Sequence, residues 1–106
     1  MISFKDFKDI DLRIAEIKEV KEHPDADKLY VLRIDVGDEE KQIVAGIRGT
    51  YSESDLIGKK IIIVNNLEPA VIRGESSNGM LLAVSGENGP VLLSPGPDVV
   101  AGAPVK

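Results

Sequence analysis

Arg73 is the side chain of this sequence best suited to grip an anion. It is the only cation in the stretch Asn65 to Met80, NNLEPAVIRGESSNGM, with Gly74 beside it and Gly79 nearby. A guanidinium makes two parallel hydrogen bonds to a phosphate, and glycines let backbone approach a ligand closely. A solvated loop arginine is the equally simple reading. Ser77 offers a hydroxyl to phosphate or sugar, or closes a turn, which is the commoner task of a loop serine. Met80 opens an apolar run and reads first as core filling. Lys41, Arg48, Lys59 and Lys60, with Arg73, give residues 41–73 five basic side chains against three acidic ones, the only third of the chain with a positive balance. They form a candidate phosphate track, of which roughly half would be expected to count.

Other chemistries find less support. His23, Asp25 and Asp27 lie close together, but one His and two acids in a Pro-containing turn supply no ligand set of defined geometry. A Ser77, His23, Asp25 triad has no strained nucleophile turn to support it, so neither catalysis nor a metal or other cofactor is expected. The absence of cysteine removes disulfides and thiolate sites. A net charge of −5 argues against indiscriminate polyanion binding. The opening MISFKDFKDI carries acids and no apolar run, and no stretch approaches the ~18 apolar residues of a membrane span, so a soluble cytoplasmic protein is expected.

The elements that position these residues follow from periodicity. At 106 residues the chain is expected to be a single domain over 1–106, with a body at 1–93 and an extended tail at 94–106. Phe4, Phe7 and Ile10 recur at threes, as in a short helix packed on the body. Leu12 to Glu22 fits either a helix or a strand whose parity slips at a bulge. HPDADK (23–28) is a turn. Tyr30, Leu32, Ile34 and Val36 alternate as a half-buried strand, and Lys41 to Ile47 gives its partner, with Gly46 suggesting a bulge or close approach. Ser52 to Gly58 carries helix caps. Ile61 to Val64 and Met80 to Val84 read as strands around a long polar loop, with a GENG turn leading into Val91 to Leu93. Pro95, Pro97 and Pro104 keep the tail extended and out of a sheet interior.

Three strands, a short helix and two more strands is the order of an all-β OB-fold, a five-stranded Greek-key barrel, here with C-terminal strand additions. That order requires Leu12 to Glu22 to be a bent first strand. It also puts the loop after strand 1 (HPDADK) and the loop after strand 4 (Asn65 to Met80) at the mouth of one face. The four aromatic residues, three of them with core readings, leave few stacking platforms for bases. Recognition of a folded RNA through phosphates and 2′-hydroxyls fits better.

The stretches DLRIAEIKEVKEHPDADKLYVLRIDVG, QIVAGI and NLEPAVIRGESSNGMLLAV cover nearly the whole chain. Together they resemble the tRNA-binding domain family, found as a C-terminal extension or beta subunit of methionyl-tRNA synthetases. Free-standing tRNA-binding proteins and the C-terminal part of the endothelial monocyte-activating polypeptide carry the same domain. The resemblance implies structure-directed tRNA binding without catalysis, in aid of an aminoacyl-tRNA synthetase, methionyl first among them. It implies a homodimer, expected to form through the tail, and a methionyl-tRNA synthetase catalytic chain as a further partner. The family's RNA-contacting signature falls on Arg73, Ser77 and Met80, with Asn66 at its start; Lys28 and Arg33 belong to the same expected face, beside Lys41 and Arg48 of the basic stretch. Glu68 and Val71 stand where family members often carry Lys. A chaperone-like OB domain binding polypeptide at this face is the alternative.

Overall fold

A computed structural model describes residues 1–106. The main sheet runs β3-β2-β1-β4-β7, all antiparallel. It is built from β1 (Leu12–Glu22), β2 (Tyr30–Asp35), β3 (Glu40–Ala45), β4 (Lys60–Val64) and β7 (Met80–Leu81). These five segments are the OB-fold strands, with helix α2 (Glu53–Leu56) between the third and fourth.

The helix-or-strand ambiguity of Leu12 to Glu22 is resolved by pairing on both flanks. Leu12 to Glu16 pairs with β4, and Glu16 to Glu22 pairs with β2. The register shifts between Ile17 and Glu19. This is the expected bulge: Ala15 and Ile17 point into the core on one parity and Val20 on the other, so one strand serves two neighbours. Its inward residues meet Leu32, Ile34, Ile43, Ile61 and Ile63, and Leu56 of α2 joins the same core. Ser52 and Asp55 form a reciprocal capping box on α2.

Four expectations need correction. Asn65 to Met80 is not an irregular loop, because it contains a hairpin, β5 (Ala70–Ile72) with β6 (Glu75–Ser77). Its three-residue strands, AVI and ESS, are too short for alternation to reveal. Met80 to Val84 is not one strand: β7 ends at Leu81, and β8 (Ala83–Gly86) leaves the barrel to pair with β9 (Gly89–Leu92) across the GENG turn. The third strand stops at Ala45, so Gly46 lies at its exit, and a Cβ there would make only an ordinary contact with Leu29. Finally, α1 (Phe4–Lys8) is a helix, but Phe4 is 73% and Ile10 40% exposed. Five residues repeating at threes bring Phe4 and Phe7 together, with ring centroids 6.5 Å apart, and leave them facing an open groove rather than the core.

The tail turns back on its own chain. β10 (Pro104–Val105) pairs with Leu12 and Arg13 of β1, at the end of the sheet where β2 no longer reaches. Gly102 and Gly37 permit this docking, since a Cβ on either would lie 2.7 Å from the Cα of the other. Proline at an edge forfeits no interior ladder bond.

Candidate nucleic-acid interface

The turn after β1 is built by its own side chains. The His23 amide donates to the Leu29 carbonyl and the Leu29 amide to that of Ala26. The Asp25 amide donates to His23 Nδ1 at 3.0 Å. Arg48 braces the turn from beyond β3: its Nη1 donates to the Ala26 carbonyl, its Nη2 pairs with Glu22 at 2.8 Å, and its amide donates to the Lys28 carbonyl. The backbone of Lys28 is thus held, while its side chain is exposed and makes no ion pair.

Across the mouth, the β5–β6 hairpin ends in a two-residue turn, Arg73 (φ 51°) and Gly74 (φ 92°). Positive φ at both central residues is the requirement of a type I′ turn, the kind whose twist matches flanking strands. Asn-Gly is the usual pair there; an arginine is not. Arg73 is exposed and free of any ion pair.

Ser77, an RNA contact by the resemblance, has a structural task in this fold. It is 3% exposed, and its Oγ accepts from the Val44 amide and donates to the Gly79 carbonyl, both at 3.0 Å. The hydroxyl stands in for a neighbouring strand along β3. Beside it Gln42 Nε2 donates to the Ser76 carbonyl at 2.9 Å, and the Asn78 amide donates to that of Gln42. These bonds close the barrel between β3 and the hairpin. Ser77 and Gln42 therefore position the tip that carries Arg73.

Asn66 is likewise engaged in structure: its Oδ1 accepts from the Asp11 amide and its Nδ2 donates to the Asp9 carbonyl. Lys41 Nζ donates to the Asn65 carbonyl and to Asn65 Oδ1 at 2.8 Å. Asn65 Nδ2 in turn donates to Asp11, whose carboxyl is held below the usual aspartate range chiefly by that bond, with Arg13 and Lys41 adding to it against the opposing pull of burial. Met80 is half-buried opposite Val64. Arg33 lies about half exposed on the outer face of β2, paired with Glu40 at 3.2 Å.

Of the eight residues nominated from the sequence, Lys28 and Arg73 present cations with no acid or carbonyl partner, one on each loop. Arg33 sits on the strand face between Glu19 and Gln42 in a shallow depression of about 100 Å³. The remaining five are partly or wholly engaged in structure. Sequence reasoning missed Gln42, Lys21, which is exposed and lines the same depression, and above all His23. The sequence suggests for His23 only a metal ligand or a triad member, neither of them supported. It is 2% exposed, and its Nε2 meets the Ile72 carbonyl at 3.1 Å, joining the first loop to the hairpin.

A family model described as "Putative tRNA binding domain" matches residues 12–104. A methionine–tRNA ligase of Thermococcus onnurineus is 44% identical over 105 residues, which are 99% of this chain and 14% of that protein. The chain thus spans about a seventh of the length of such curated relatives. Among solved structures, a MetRS-related protein from Pyrococcus horikoshii superposes with a TM-score of 0.92 at 32% identity, covering 100% of this chain and 98% of that one. The CsaA chaperone protein from Picrophilus torridus gives 0.93 at 36% identity, each chain covered fully.

Proposed function

The chain belongs to the tRNA-binding domain family, and from that footing we propose that it is a non-catalytic module that grips the folded body of tRNA for an aminoacyl-tRNA synthetase, methionyl first among them. The observation that carries this reading is Arg73: exposed, unpaired, and in the left-handed region of a two-residue turn. The turn presents the guanidinium to solvent, where it can make two parallel hydrogen bonds to a phosphate with no ion pair to break first. Lys28 faces the same ligand from the first loop, and Arg33 with Lys21 extends the contact across the strand face. Ser77, Asn66, Lys41 and Arg48 build this surface, and Met80 fills in behind it. Half-strength contacts of this kind act by avidity: a second grip on tRNA raises the concentration of its acceptor end at a catalytic chain, in cis or as a separate subunit, in the cytoplasm. Two copies paired as a homodimer double the grip.

Titration with bulk tRNA at two salt concentrations tests the reading. Affinity falls steeply with salt, by about 0.7–0.9 log units per log unit of salt for each phosphate neutralised, and Arg73→Ala lowers both affinity and slope. A flat salt response, or wild-type affinity in Arg73→Ala, removes it.

One observation favours a second reading, polypeptide binding at the same face: the full-length match to a chaperone protein, on a chain whose net charge is −5. Suppression of aggregation of an unfolded client, competed away by tRNA, would place both ligands on one surface. Suppression untouched by saturating tRNA would separate them.

A further inference from the structure

We infer that His23 is a positioning residue that sets the posture of Arg73, by locking the β5–β6 hairpin to the loop after β1. This rests on the tRNA reading for its purpose, though not for its geometry. The imidazole is 2% exposed and spends both nitrogens on backbone of two different elements. Nδ1 accepts from the Asp25 amide at 3.0 Å, which fixes the proton on Nε2. Nε2 then donates to the Ile72 carbonyl at 3.1 Å, one residue before the turn that carries Arg73.

The other side-chain ties on this hairpin lie on β6. Ser77 and Gln42 fasten the far strand to β3, and nothing comparable holds β5. Ala70 and Val71 are exposed, Val71 to 73%, so apolar packing on β5 is confined to the partly buried Ile72. A hairpin secured along one strand rocks about it, and a buried hydrogen bond on the other strand arrests the motion. His23 supplies that bond from 49 residues away in sequence. The same ring orders the loop carrying Lys28, so the two unpaired cations of the mouth share one spacer.

Three substitutions separate the halves of this contact. Gln at 23 can reach the Ile72 carbonyl with its amide nitrogen, Asn can accept from the Asp25 amide but falls short of Ile72, and Phe does neither. In the free protein, amide exchange of β5 and β6 is expected to be near wild type in His23→Gln and about tenfold faster in His23→Asn and His23→Phe, the effect of one lost hydrogen bond. Equal protection in His23→Gln and His23→Asn overturns the proposal, and this pair decides it even if His23→Phe does not fold. With tRNA, His23→Asn weakens binding several-fold in the wild-type background and not at all in Arg73→Ala, because a positioning effect vanishes with the residue it positions. Independent, multiplying losses overturn the role in positioning Arg73. A wild-type protein that fails to bind tRNA sinks the tRNA reading, while the exchange comparison still decides the lock.

Discussion

At Arg73 a long side chain occupies a backbone conformation that costs a non-glycine residue about 1–2 kcal/mol. Asn, which tolerates that conformation and favours type I′ turns, would relieve part of the cost. Arg73→Asn is therefore expected to slow exchange of the hairpin amides while weakening tRNA binding, opposite effects that a role in stability alone cannot produce. Ser77 makes the reverse case. Removing its hydroxyl leaves the buried Val44 amide without a partner, so Ser77→Ala is expected to destabilise the protein by about 1–3 kcal/mol in urea unfolding. Because Ser77 acts through the tip that carries Arg73, any loss of tRNA affinity in the folded Ser77→Ala variant should vanish in the Arg73→Ala background. A loss that persists there would return Ser77 to the contact surface.

Between elements, polar side chains do the joining that the ladders do not. Asp11 ties the start of β1 to the residues that leave β4: its carbonyl accepts from the Asn65 amide, its carboxylate from Asn65 Nδ2, and its amide donates to Asn66. Because its carboxyl titrates lower in the folded chain than in the unfolded one, the stability it supplies is complete above the ordinary aspartate range. It is lost as pH falls through the lowered folded value. Asp11→Asn should accordingly show a lower urea midpoint than wild type at pH 7, with the gap closing below about pH 4. A gap that stays constant down to pH 2 would mean the carboxylate charge contributes nothing. His23, Gln42 and Ser77 do comparable work at the mouth, so the posture of the binding surface is set largely by side-chain hydrogen bonds between elements.

For the whole molecule, charge and exposed apolar surface set the expectations. A chain of net charge −5 would approach an RNA against long-range repulsion, so on the proposed function recognition would rest on the unpaired cations Lys28 and Arg73 at the mouth. Elsewhere, Phe4, Phe7, Ile10 and Val105 line a groove of about 460 Å³ left open by the short first helix and the docked tail. If a second copy covers it, sedimentation at micromolar concentration gives twice the 11.4 kDa of one chain, and Phe4→Glu with Phe7→Glu returns the single-chain mass. A wild-type particle of 11.4 kDa would exclude the homodimer. Because β10 already pairs with β1, strand exchange through the tail is not needed for such a contact.

The sequence by itself determined the order of the barrel's elements. Alternation at Tyr30 to Val36 and the β-branched run at Ile61 to Val64 are local consequences of which faces must be buried. The order of elements then asks for a bent first strand, although only pairing on both flanks makes Leu12 to Glu22 that strand. The caps of α2 and the edge placement of Pro104 were legible for the same reason: each is a property of a residue and its near neighbours. What only the tertiary structure decided is which polar residues are free. Arg73 and Ser77 stand four apart in one stretch, and nothing local tells that one side chain points to solvent while the other replaces a strand. Nor does it tell that His23 would reach Ile72. A hydrogen bond between residues distant in sequence depends on how two loops are brought together, and that is fixed by the barrel beneath them.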